Sequence, residues 1–319
     1  EQDGVRVERN QLIDVLSQGE RKALYILNII FEVEARKDQG QETIVIVDDI
    51  ADSFDYKNKY AIIEYLKDIA EYDSFFEIIL THNFDFFRTV QSRFVPYDNC
   101  LYVNRTDGSL VLEEAKHIKG PFQHFLDNVD TDDYFCLASV PFVRNILDYT
   151  KGMDSQEFQD LTAVLHVKSN SDSVTIGRFE DLLNGTFGER KTFSLSNKDK
   201  VLQELFVEKA DELLASDRTM LLENKIILSV AIRIKAEKFM LSRIKDPTVI
   251  DRITKDQTHE LFKIFTEENP KDIKSKLVLK KVNLITPQNI HLNSFMYEPI
   301  LDMSDIELKN LYEEVSGLK

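Results

Sequence analysis

The sequence predicts an α/β lobe followed by a mostly α-helical domain, and three observations lead there. As far as about Glu114, short β-branched runs alternate with stretches of helical periodicity. Two of those runs stop abruptly in polar, chemistry-bearing residues, as strands of a parallel sheet do where ligands bind. Beyond about Pro121 the strand signals fade and helical spacing takes over. With 319 residues the chain is long for a single core, and the change of texture puts the boundary between a domain over 1–115 and one over 116–319.

In the first region Ser17 precedes an apolar-periodic run and Glu20 stands three residues later. This is a capping box, and it starts a helix that runs to about Arg36. Ala23, Leu24, Leu27, Ile30 and Phe31 follow the helical spacing and are expected on the core face. The polar Lys37-Asp38-Gln39-Gly40-Gln41 ends the helix. Thr43 to Val47 is a continuous β-branched run, expected to be a strand buried on both faces of a parallel sheet. A helix from about Lys57 to Ala70, a strand from Glu77 to Thr81 and a helix from Asp85 to Arg93 follow. Cys100–Asn104 and Leu110–Glu114 flank Asp107-Gly108, which supplies the positive φ angles of a hairpin turn.

In the second region helices are expected near Tyr134–Tyr149, Gln156–His166, Lys198–Leu214, Leu221–Arg243, Asp256–Glu267 and Asp305–Val315. Ser169–Ser173 and Asn184–Asn197 read as loops.

Composition narrows the class. Hydrophobic residues make up 43% and charged residues 30%, the balance of a globular protein. No apolar run approaches the ~20 residues of a membrane span, and no membrane partner is expected. The net charge of -16 lowers the prior for a dedicated nucleic-acid binder, because any phosphate-binding patch works against the overall field. Cys100 and Cys136 stand apart without ligand-like neighbours, which fits a cytoplasmic protein rather than a disulfide framework. The opening Glu1-Gln2-Asp3-Gly4 has neither an initiator Met nor a signal-peptide pattern, so the start is expected to be a cut in something longer.

Three pieces of the first lobe carry chemistry. Leu16-Ser17-Gln18-Gly19-Glu20 opens a helix, where free backbone N–H groups and the helix dipole favour a phosphate. The bland alternative is a well-capped helix. Val45-Ile46-Val47-Asp48-Asp49 puts two carboxylates at the end of a strand, suited to a metal ion and a general base. Leu80-Thr81-His82-Asn83 puts a histidine at the end of the next strand. Between these two lies Asp52-Ser53-Phe54-Asp55. No G-x-x-x-x-G-K-[ST] phosphate loop occurs in the sequence.

As an ordered set, Leu16 to Arg88 resembles the C-terminal half of the ABC ATPase superfamily: signature motif, Walker B, D-loop and switch histidine. The resemblance implies a P-loop NTPase-like sheet running on to Glu114. It implies Asp48 on Mg2+, Asp49 as the base that polarises water, and His82 near the γ-phosphate. Leu16, Ser17, Gln18, Gly19, Glu20 and Asp55 would contact ATP held by a second head. Gln18 and Glu20 depart from the usual Gly and Gln of the signature, and Asp49 replaces the usual Glu. ATP and Mg2+ both need a phosphate-loop half that this sequence lacks, so the chain alone is expected to bind ATP weakly or not at all. The subgroup it most resembles is the bacterial AAA-type ATPases of phage-defence and restriction systems, including the anticodon-nuclease type.

In that nuclease type an Arg, a Glu four residues on and a later His cleave RNA. The matching residues here are Arg233, Glu237 and His291, with His259 a weaker substitute. Arg-x-x-x-Glu on a helix is also a common surface ion pair, worth little. Lys274, Lys276, Lys280 and Lys281 form the main basic cluster, either an RNA contact or a solvated helix face. Phe84, Phe86 and Phe87 are expected to pack under the sheet.

The leading reading is therefore one part of a cytoplasmic, defence-type ATPase. Its partners would be the N-terminal ATPase half, a second head forming a homodimer, and an effector protein with an RNA or DNA substrate. The alternatives are an ATPase-controlled RNase, a non-catalytic scaffold, and a DNA-repair or chromosome-organising ATPase.

Overall fold

The computed structural model describes residues 16–50, 56–106, 109–115, 120–216, 221–285, 300 and 303–318. The chain forms two compact units: Glu1–Val103 with Leu112–Lys116, and Asn104–Val111 with His117–Lys319.

In the first unit, helix α1 (Gln18–Asp38) starts on the capping box of Ser17 and Glu20. Strand β1 (Thr43–Asp48), helix α2 (Tyr56–Ala70), strand β2 (Phe75–Leu80) and helix α3 (Phe84–Arg93) follow. β1 and β2 pair in parallel, with Thr43 opposite Phe75 and Asp48 opposite Leu80. Side chains alternate across the pleat, so Val45, Val47, Phe75, Glu77 and Ile79 share one face. That face packs on Val33 of α1, Ile63, Leu66 and Ile69 of α2, and Phe86 and Val90 of α3. Phe86 thus takes the place under the sheet that its sequence position implied.

The opposite face is bare. Ile44, Ile46, Phe76, Ile78 and Leu80 are 45–65% exposed, so β1 is buried on one face and not on two. The continuous apolar run fits two-sided burial, but among the described residues no element supplies the second layer. A similar correction applies to α1. Leu27 and Phe31, expected on the core face, are exposed, together with Tyr25 and Ile29. Between Ala23 and Phe31 the helix is apolar over most of its circumference, a pattern suited to surroundings on more than one side.

β3 (Leu101–Thr106) and β4 (Ser109–Glu114) form a sheet of their own, joined by two residues as only antiparallel neighbours are. The described residues therefore hold two separate strand pairs, not one sheet continuing to Glu114.

Glu77 lies on the covered face opposite Val45. Its Oε1 is buried without a hydrogen-bond partner, and burial pushes its carboxyl up to about 7. A folded pKa above the unfolded one costs stability as pH rises through that window. Glu77→Leu is expected to stabilise the fold by about 1 kcal/mol at pH 8, after allowance for partial solvent screening. The gain should shrink towards pH 5, where the wild-type carboxyl is protonated. Urea melts at the two pH values measure it.

The second unit is helical: α4 (Pro121–Asn128), α5 (Asp133–Lys151), α6 (Gln156–Leu165), α7 (Ile176–Phe187), α8 (Leu202–Leu214), α9 (Leu222–Arg243), α10 (Gln257–Glu268), α11 (Ile273–Ile285) and α12 (Asp305–Ser316). α9 is the hub, packing against α5, α6, α8, α10, α11 and α12. Most of its residues from Leu222 to Met240 are buried, which explains its weak amphipathic signal.

Three of these helices were not placed by periodicity. α4 opens with Pro121 in its first turn and is short. α7 carries Gly177 and Gly185, poor helix formers, and its C-terminal end occupies part of the stretch expected to be a loop. α11 shows apolar residues on two opposite faces. The expected helix from Lys198 starts instead at Leu202, because Val201 bridges to Thr175.

Candidate nucleotide site

The carboxyl ends of β1 and β2 bring the second and third motifs together. Asp48 is the last residue of β1 and is exposed. By strand alternation its Cβ lies on the bare side with Ile44 and Ile46. Asp49 then leaves the strand with φ 50°, a left-handed conformation that Asp tolerates better than most residues. Its N–H donates to the Leu80 carbonyl at 2.9 Å, which holds the turn against β2. Strained backbone of this kind clusters at functional sites.

The turn brings the Asp49 carboxylate to His82. Nδ1 of His82 lies 2.9 Å from Oδ1 of Asp49, as an electrostatic contact and not an aligned hydrogen bond. The loop carrying His82 is held at both ends. Thr81 Oγ1 accepts from the Asn83 N–H at 3.0 Å, and Asn83 Oδ1 caps α3 by accepting from the Phe86 N–H at 2.9 Å. The exposed His82 and the partly exposed Asp49, whose Oδ1 is itself buried, stand beyond the strand ends, where an α/β sheet binds ligands.

At the start of α1, the Ser17 hydroxyl donates to the Glu20 carboxylate at 2.7 Å, and the Ser17 N–H donates to it at 2.8 Å. These hydrogen bonds pull the Glu20 carboxyl below its usual range. The helix end therefore carries its own anion, as the capped-helix alternative anticipates. Leu16 is half-buried, and the Arg21 side chain donates to its carbonyl. Gln18 and Gly19 form the first turn of α1. Asp55 lies outside the described residues.

Among the described residues no three His, Cys, Asp or Glu side chains are grouped to hold a metal ion. Asp48 alone fits Mg2+ only in the manner of a phosphate-bound ion, where one carboxylate, waters and phosphate oxygens share the coordination. No described helix is long and apolar enough to cross a membrane.

The helical unit holds the second candidate set. Arg233 and Glu237 are fully buried in α9, not on an open face. Glu237 Oε1 accepts from Thr258 Oγ1 at 2.7 Å and lies 2.6 Å from His166 Nδ1. Its Oε2 accepts from the Val167 N–H at 2.8 Å and from Gln257 Nε2 at 2.7 Å. Burial pushes the Glu237 carboxyl up, but His166, Thr258 and the Val167 N–H outweigh it and leave the group below its usual range. Burial pulls the Arg233 guanidinium down to about 10, against the pull of Glu237. It also lowers His166, opposed by Glu237 and reinforced by Arg233 and Arg144.

The histidine that the fold brings to Glu237 is therefore His166. His291 lies outside the described residues, and His259 is exposed. No local pattern announces His166, Gln257 or Thr258 as partners. The pattern Arg-x-x-x-Glu suggests a surface ion pair, whereas Arg233 stands among Val230, Ala231, Ile232 and Ile234, all fully buried.

Residues 3–124 match the AAA_13 family model, described as an AAA domain. Two curated records, from Staphylococcus aureus strain MRSA252 and from Staphylococcus aureus, name the same relative, an uncharacterized chromosomal cassette SCCmec type IVc protein, CR006. It is 28% identical over 124 residues, which is 36% of this chain and 17% of the relative's length. No solved structure matches. Over residues 3–124 this chain is thus similar to an AAA-type, ATPase-like domain.

Proposed function

We propose that the first unit is the hydrolytic half of an AAA-type ATPase site, completed by a second polypeptide segment that carries the phosphate loop. The observation that carries this reading is the Asp49–His82 contact at the ends of β1 and β2. In this reading Asp49 accepts the proton of the attacking water, His82 holds its ring toward the terminal phosphate, and Asp48 stands ready for a phosphate-bound Mg2+. The bare apolar face of β1–β2 supports it further. The parallel pair exposes five large apolar side chains that no described element covers, and the phosphate-loop half is the occupant that would supply both layer and nucleotide.

Beyond the site, the proposal follows the resemblance. Two such heads close on ATP, with Ser17 and the first turn of α1 facing the partner's nucleotide. Opening and closing then control an effector in a bacterial defence system, with the helical unit as the docking platform. Glu20 must first release Ser17 for that contact to form. No observation favours the nuclease alternative, since the carboxylate of Glu237 is fully engaged within the bundle.

The test is Mg-ATP binding by calorimetry. This chain alone is expected to give no saturable heat at millimolar nucleotide, and a polypeptide that also carries the phosphate loop is expected to bind. Tight binding by this chain alone contradicts the division of labour.

A further inference from the structure

We propose that the outer face of α11 is a docking seam for an acidic amphipathic helix of a partner protein. α11 has two apolar faces. Its inner face, Ser275, Val278, Leu279 and Val282, is buried. Ile273, Leu277 and Leu284 lie on the other side and are 60–76% exposed. With Lys280 they occupy positions spaced four, three and four residues apart, the seam spacing of a two-helix coiled coil. The seam is about 16 Å long.

The flanking positions name the partner. In the same register Lys274, Lys276 and Lys281 take three of the four places beside the seam, and Asn283 takes the fourth. A flank of three lysines with no acid repels a second copy of itself and pairs with Glu or Asp on a facing helix. The flank already does this once within the chain, since Lys281 Nζ donates to the Glu314 carboxylate at 2.7 Å. Lys276 donates to the Pro270 carbonyl. A lipid surface fits less well, because it needs a broad apolar face and Lys280 sits in the middle of this narrow one. An RNA partner leaves the three apolar side chains unused.

The probe is a labelled peptide of about three heptads, with Leu on its seam and Glu on its flanks. It is titrated against the full chain and followed by fluorescence anisotropy. A peptide with Lys flanks, phosphatidylserine vesicles and single-stranded RNA run in parallel. The Glu peptide is expected to bind in a salt-sensitive manner and the Lys peptide not to bind. Leu277→Lys with Leu284→Lys is expected to weaken binding by about tenfold or more. Both residues are exposed, so the fold is expected to survive, and circular dichroism checks that it does. Failure of the Glu peptide to bind overturns the proposal. So do equal binding of both peptides, binding indifferent to the two substitutions, and capture of vesicles or RNA through this face in place of the Glu peptide.

Discussion

Glu237→Ala is expected to destabilise the helical unit by about 3 kcal/mol or more, because each buried donor left unpaired costs about 1–3 kcal/mol. The magnitude follows from what remains behind. The donors of Val167, Gln257 and Thr258 lose their acceptor, and the buried Arg233 loses the electrostatic support of the nearby carboxylate. A domain has about 5–15 kcal/mol to lose, so the loss is a large fraction of the total. Chemical denaturation followed by circular dichroism measures it. A surface pair gives the contrast. Lys263 and Glu260 lie on one exposed helix face, and removing Lys263 should cost at most about 0.5 kcal/mol.

The same network predicts a pH dependence. His166 has a folded pKa below its ordinary 6.5, so the unfolded chain binds protons more readily and stability falls as pH drops below that value. Glu237, also lowered, adds a further loss at lower pH. Both shifts act in one direction. The urea midpoint of the helical unit should fall from pH 7 to pH 5, and a flat or rising midpoint of that unit contradicts the assigned network.

The second large effect concerns hydrolysis. Asp49→Asn keeps the size of the side chain and removes the base, and proton abstraction by a positioned carboxylate is worth about 100-fold or more. The left-handed turn at Asp49 is one that Asn also tolerates. Loss of activity should therefore come with an unchanged melting temperature.

How much of this was legible in the sequence depends on how local each cause is. The start of α1 was legible because Ser17 and Glu20 are three residues apart. The strand ends were legible because Asp48, Asp49 and His82 sit directly after short apolar runs. A parallel sheet was legible in the β-branched run, but the contact of Asp49 with His82 was not, since the two side chains stand 33 positions apart, about the span of a parallel crossover unit. The second unit was less transparent. Glu237 draws its partners from 71, 20 and 21 residues away, and no periodicity marks such contacts.

The bare face of β1–β2 was misread for a different reason. Its residues were correctly recognised as apolar on both sides, but burial depends on what stands opposite, which the strand's own sequence does not contain. The same holds for Leu27 and Phe31. In both cases the apolar pattern does not say what covers it, and among the described residues nothing does.

The central claim is that Asp49 and His82 act on a nucleotide whose phosphates another segment holds. It is tested most directly by steady-state ATP turnover of the intact ATPase that contains both halves, wild type against Asp49→Asn at matched fold and matched nucleotide binding. The account predicts turnover reduced by about 100-fold or more with Mg-ATP still bound. Turnover equal to that of the wild type contradicts it, and would leave this end of the sheet as scaffold.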